Sequence, residues 1–382
     1  MTPRRRPLPE RAPRKRRRAR LALVAVTAAV LAVAVVLSAA TPARNARFDP
    51  TRSHHTAGGF RNNYLNVDPG GFWRWQWERW TTGVPQVPEG GWRFPLDTPD
   101  LAFLHANRSE TTVTWIGHAT VLLQLAGVNI LVDPVFSDRA SPLPFVGPKR
   151  WVAPGIALAD LPHIDVVLVT HNHYDHLDEA SVAALAAQAG GAPRFYVPLG
   201  VDDWFAARGL PVHATLDWWD RREDGGLDIH FVPAQHWSAR SWWDRNQTLW
   251  GGFVVEAQGF RFIATGDTGY SPDYRDIARR FGSFDLAVTP IGSYAPRWFM
   301  APQHVDPGEA VAIHRDLNAR HSLGVHWGTF VLTDEPLDEP PLRTRAAAAA
   351  AGLAPDAFWV FRHGEMRRLG TAAPLARQTA SR

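Results

Sequence analysis

Short apolar runs of four or five residues recur between residues 111 and 289, and segments of helical periodicity lie among them. The runs predict strands at Thr111–Trp115, Val121–Leu125, Asn129–Val132, Val166–Val169, Phe253–Glu256, Phe260–Ala264 and Leu286–Thr289. Gln258-Gly259, between two of them, predicts a hairpin turn. Helices are predicted over Glu179–Ala189, Pro272–Phe281 and Pro307–Asn318, the last opened by Asp306 as N-cap with Pro307 at the first helical position. The alternation places residues 111–370 in the α/β class, and no internal repeat of 20 to 50 residues is evident.

Residues 21–40 break the pattern, being almost wholly apolar. As a helix they would span roughly 30 Å, the thickness of a bilayer's hydrocarbon core. Residues 1–20 hold ten Arg or Lys against the single acid Glu10. The basic leader should stay cytoplasmic, which makes 21–40 a transmembrane anchor and puts the remainder on the extracytoplasmic side. The alternative is a signal peptide cleaved near Ser38-Ala39-Ala40, although its apolar core is usually only about 7 to 15 residues long.

The leader also accounts for the basic pI. The chain's net charge is +4, the leader carries +9, and the other 362 residues therefore carry −5. No basic nucleic-acid surface follows for the folded part. Cysteine is absent, which excludes disulfides and thiolate metal sites. Residues 41–110 form an extension with Trp73, Trp75, Trp77, Trp80 and Trp92, in a chain of 17 tryptophans. These rings would pack on the outer face of the fold, or some would lie against a bilayer, where tryptophan favours the interface. Residues 371–382 read as a disordered tail.

The chemistry is concentrated in His171-Asn172-His173-Tyr174-Asp175-His176, directly after the apolar run Val166–Val169 and Thr170. Imidazole and carboxylate are good zinc ligands, and one tetrahedral ion does not need four of them from a single loop. The crowding points to two neighbouring ions, with His171 and His173 on one and Asp175 and His176 on the other. Further ligands should follow other strands. His236 comes after Ile229–Pro233, Asp267 after Phe262–Gly266, and His326 after Leu323–Val325. Asp267, within Gly266-Asp267-Thr268-Gly269, would serve equally in a turn. A set built only of His and Asp suits Lewis-acid hydrolysis better than iron redox chemistry. No Gly-x-Ser-x-Gly nucleophile elbow is present.

With these residues the chain resembles the metallo-β-lactamase superfamily, whose His-x-His-x-Asp-His loop and later His, Asp and His are metal ligands. More specifically it resembles the N-acylphosphatidylethanolamine-hydrolysing phospholipase D family, from Trp115-Ile116-Gly117-His118-Ala119-Thr120 to Trp327-Gly328-Thr329-Phe330. Between them lie Leu131–Phe136, Gln235-His236-Trp237, Thr265–Tyr270, Pro290–Tyr294 and Pro296–Pro307. The resemblance implies a metallo-β-lactamase αβ/βα sandwich, two mixed sheets face to face with helices outside. It implies two zinc ions per chain, His171, His173 and His236 on the first, Asp175, His176 and His326 on the second, and Asp267 bridging them. Zinc lowers the pKa of bound water to about 7, so water shared by the two ions would attack a phosphodiester in line.

His304 is similar to a substrate-pocket histidine of the family, expected to bind phosphate or assist the leaving group; the alternative is that it caps the following helix. Asp133 and Thr170 are read as residues that orient the ligands, and His118 as structural. The implied reaction cleaves N-acylphosphatidylethanolamine to N-acylethanolamine and phosphatidic acid, with a membrane phospholipid as partner and homodimerisation left open. A lactonase, or another hydrolase of small esters and amides, would use the same metal core and is the rival.

Overall fold

The computed structural model describes residues 45–66 and 69–370, and the features that follow belong to these residues. A two-strand hairpin, β1 (His55–Thr56) and β2 (Gly59–Phe60), precedes two seven-stranded sheets. The first sheet is built from β3 (Thr111–Gly117), β4 (Thr120–Leu125), β5 (Val128–Val132), β6 (Val166–Leu168), β7 (Arg194–Pro198) and β8 (Ala214–Leu216). The second contains β9 (Arg221–Asp224), β10 (Leu227–Val232), β11 (Gly252–Ala257), β12 (Phe260–Ala264), β13 (Phe284–Pro290), β14 (Ala319–Val325) and β15 (Phe358–Trp359). The chain then returns to the first sheet as β16 (Met366–Gly370), antiparallel to β3.

The two sheets share one plan. From β16 the first has three antiparallel pairings followed by three parallel ones, ending at β8. From β9 the second repeats that order, ending at β15. The repetition is of topology alone, which is why no period is visible in the sequence.

The short apolar runs arise because strands buried on both faces need apolar residues at every position. In the first sheet Val121, Leu123, Ile130, Val132, Val166 and Leu168 enter the core shared with the second sheet. Their neighbours Leu122, Leu131, Val167 and Val169 point the other way, into a separate core. There they meet Val182 and Leu185 of α3 (Glu179–Ala186) and Val201 and Phe205 of α4 (Val201–Ala206), the earlier helices being α1 (Phe72–Thr82) and α2 (Leu101–Ala106). On the second sheet Ile277 of α5 (Asp273–Phe281) and Ile313 of α7 (Pro307–Asp316) join the first core; α6 is the short Arg297–Met300 and α8 is Glu339–Ala350. The Asp306 carboxylate accepts from Glu309 N at 3.0 Å, and Glu309 caps Asp306 N in return. Gln258 and Gly259 both have positive φ, 49° and 80°, as a two-residue hairpin between β11 and β12 requires.

Of the five tryptophans in the extension, Trp75 and Trp92 are buried, whereas Trp73, Trp77 and Trp80 on α1 are 74%, 62% and 76% exposed. The expected transmembrane segment 21–40, the leader and the expected tail 371–382 lie outside the described residues. Among the described residues no helix is long and apolar enough to cross a membrane.

Candidate metal centre

The site gathers where strands of both sheets end. The loop 171–176 leaves β6, His236 follows β10, Asp267 follows β12, His326 follows β14, and His304 lies between α6 and α7. All these side chains are largely or fully buried. His171 Nε2 and His173 Nδ1 are 2.9 Å apart, and His236 Nε2 is 3.3 Å from the same His173 nitrogen. On the other side, His176 Nε2 and His326 Nε2 lie 3.6 and 3.2 Å from Asp175 Oδ2. A single atom, Asp267 Oδ2, joins the two sets, 3.2 Å from His176 and from His326 and 3.8 Å from His236. The structure thus brings all seven expected ligands together in two sets of three with one shared carboxylate.

His304 faces the same oxygen, with Nδ1 at 3.9 Å. It does not cap the following helix, because Asp306 does. His118, expected to be structural, stands instead among the second set. Its Nε2 is 2.9 Å from Asp175 Oδ2 and its ring lies 4.1 Å from that of His326. The sequence does carry a signal, a Gly-His pair at a strand end, but one histidine far from the main loop does not announce its partner. His118, Asp133 and His326 all have positive φ, of 51°, 42° and 64°, a conformation non-glycine residues hold only where their surroundings enforce it. Here His326 N donates to the His118 carbonyl at 2.9 Å, tying two of these turns together.

Hydrogen bonds away from the centre choose which ring nitrogen faces it. His236 Nδ1 donates to the Gln303 carbonyl at 2.9 Å, and His176 Nδ1 to Asp133 Oδ2 at 2.8 Å, which leaves each Nε2 lone pair free to ligate. Asp133 also accepts from Thr170 N at 2.8 Å and Thr170 Oγ1 at 2.7 Å, while Thr170 Oγ1 lies 3.0 Å from His171 Nδ1. Arg240, which nothing in the sequence singles out, closes the 171–176 loop from outside. Its Nη1 donates to the carbonyls of Asn172 and Leu177, both at 2.8 Å, and its guanidinium stacks 3.9 Å over the Tyr174 ring. Burial lowers its pKa to about 10.

Burial also drives His118, His173, His236 and His304 down to about 3, and His171 well below its usual value. His326 is pushed up to about 9, because Asp267 and Asp175 outweigh its burial. His176 rises well above its ordinary value, against burial, under the pull of Asp267, Asp175 and Asp133. Both Asp175 and Asp267 fall well below the carboxylate range, the neighbouring histidines overcoming desolvation. Without ions, therefore, the carboxylates favour the protonated rings of His176 and His326. The residues fit a metal pair. His176 Nε2 is buried without a hydrogen-bond partner, and the ligating atoms within each of the groups His171/His173/His236, His118/Asp175/His176/His326 and His171/His176/Asp267 lie within 4.8 Å of one another. His54, His55 and Asp217 form a further buried group of this kind, far along the chain from the others.

Comparison with known proteins agrees with this geometry. The profile of the β-lactamase superfamily domain matches residues 128–327. The chain is 41% identical to N-acyl-phosphatidylethanolamine-hydrolyzing phospholipase D 1 of Caenorhabditis elegans over 61% of its own length and 68% of the relative's. It is 37% identical to the mitochondrial N-acyl-phosphatidylethanolamine-hydrolyzing phospholipase D of Saccharomyces cerevisiae, over 63% and 52%. In fold it is similar to the isothiocyanate hydrolase from Delia radicum gut bacteria, with TM-score 0.54 and 21% identity over 68% of this chain and all of that one, 100%. The chain belongs to the β-lactamase superfamily and is a metal-dependent hydrolase related to the N-acylphosphatidylethanolamine-hydrolysing phospholipases D.

Proposed function

We propose that the chain is a phosphodiesterase of the phospholipase D type, acting on N-acylphosphatidylethanolamine-like lipids to give N-acylethanolamine and phosphatidic acid. The observation that carries this reading is the convergence of both histidine sets on Asp267 Oδ2 with His304 beside it, in a chain similar to an N-acyl-phosphatidylethanolamine-hydrolyzing phospholipase D. His171, His173 and His236 would hold one zinc ion and Asp175, His176 and His326 the other, with Asp267 shared. Two ions held there would supply Lewis acidity at a phosphoryl oxygen and lower the pKa of water.

The chain's own residues do the rest. Asp267 lies between the two sets and fixes their separation. His304, neutral because burial lowers its pKa to about 3, can donate its N–H to a phosphoryl oxygen or relay a proton from the attacking water to the departing oxygen of the ethanolamine. Water adds to phosphorus and gives up a proton, the bond from phosphorus to the ethanolamine oxygen breaks, and that oxygen takes the proton up. The exposed Trp73, Trp77 and Trp80 would meet the lipid surface, and residues 21–40 would anchor the enzyme with its site on the extracytoplasmic side. Release of N-acylethanolamine that requires added zinc tests the assignment, whereas turnover of a lactone with none of the phospholipid would replace it.

A further inference from the structure

Among the described residues ahead of α1, Asn62 touches the metal centre. From Asn45 to Asn62 the chain forms a strap fastened to Asp202, Asp203, Asp217 and Asn246 and ending at His236. Its hairpin is seated by Phe60, which enters the main core and whose N–H donates to the Asn246 carbonyl at 2.8 Å. Gly59 makes that seat reachable, since a Cβ there would lie 2.0 Å from the Asn246 oxygen. At the other side, His54 Nε2 and His55 Nε2 reach the two carboxylate oxygens of Asp217, at 2.6 and 3.0 Å, and the His54 ring stacks on Trp218.

Fastened in this way, the strap delivers buried Asn62 onto residue 236. Asn62 Nδ2 donates to the His236 carbonyl at 2.9 Å, and Asn62 Oδ1 accepts from His236 N at 3.0 Å and from Trp250 Nε1 at 3.0 Å. An amide side chain offers a donor and an acceptor at the spacing of a peptide, so it can pair both backbone groups of one residue as a neighbouring strand would. The Gln303 carbonyl already fixes the ring of His236. With the backbone held as well, these bonds aim Nε2 at His171 and His173.

We infer that Asn62 is a positioning residue for the ion held by His171, His173 and His236, and that the strap is a working part of the metal centre. The inference rests on the metal-holding reading above. Its test uses the full chain loaded with zinc, challenged with a colorimetric chelator while release of each equivalent is timed. Partners that orient a ligand typically change metal affinity 10–100-fold. Asn62→Ala should release one equivalent about 10-fold faster or more and the other at the wild-type rate. Asn62→Asp keeps the acceptor but loses the donor, and serves if the alanine variant does not fold; it should accelerate the same phase, as should the remote Asp217→Asn. Unchanged release, or equal acceleration of both equivalents, would overturn the inference. Wild-type protein that takes up no zinc would fail the metal assignment itself.

Discussion

Replacing Asp133 by asparagine alters almost nothing but the proton inventory of the site. The residue sits at φ 42°, a left-handed conformation that asparagine tolerates, so the backbone need not move. The carboxylate now accepts three hydrogen bonds, from Thr170 N, Thr170 Oγ1 and His176 Nδ1, at 2.8, 2.7 and 2.8 Å. A carboxamide has one oxygen. If its nitrogen faces Thr170 N–H, a buried donor is left unpaired, at a cost of about 1–3 kcal/mol. If its nitrogen faces His176, the imidazole must move its proton to Nε2, and the lone pair meant for the metal is gone. A hydrogen bond to a charged group contributes about 1.5–3 kcal/mol, so the metal-free protein should lose about 2 kcal/mol of unfolding free energy. The ion held by Asp175, His176 and His326 should bind about 10–100-fold more weakly. Metal content by mass spectrometry after graded chelation, with calorimetric unfolding of the metal-free protein alongside, reads both effects. Two ions retained as tightly as in the wild type would refute the tautomer argument.

Further outcomes follow from the same geometry. Acidification of the metal-free protein from pH 6.5 towards 3 should unfold it, because His118, His173, His236 and His304 titrate at about 3 when folded and near 6.5 when unfolded. The unfolded chain then binds more protons, so stability rises with pH across that window and is lost below it, which circular dichroism would follow; a flat profile would contradict it. His304→Gln should leave metal content at two and lower kcat by about 10²–10⁴-fold if the ring moves a proton, but raise KM alone if it only binds the substrate. Joint alanine substitution of Trp73, Trp77 and Trp80 should weaken binding of residues 41–382 to phospholipid vesicles without changing turnover in detergent micelles; unchanged vesicle binding would remove these rings from the lipid surface.

How much of this was written in the chain depends on distance along it. The loop His171–His176 is contiguous, and His236, Asp267 and His326 each follow a recognisable strand, so the sequence already suggests them as the neighbours the structure brings together. The central strands are legible because burial on both faces favours apolar residues along them, as the split of Leu122 from Val121 and Leu123 shows. The pairing of His118 with Asp175 is not legible in the chain, because the two are 57 residues apart. Arg240 and Asn62 are less visible still. They act on backbone carbonyls and amides, which every residue has, so no pattern of side chains marks their targets. The tryptophans of α1 divided by face, Trp75 inward and Trp73, Trp77 and Trp80 outward, which composition could not foretell.

The central claim is chemical, and release of N-acylethanolamine from N-acylphosphatidylethanolamine in detergent micelles tests it most directly. Zinc-loaded protein should turn the lipid over, the chelated protein should not, and Asp267→Ala should abolish the reaction by removing the carboxylate oxygen that lies beside His176, His326 and His236. Zinc-loaded protein inert on this lipid, or an Asp267→Ala variant that keeps wild-type turnover, would contradict the account.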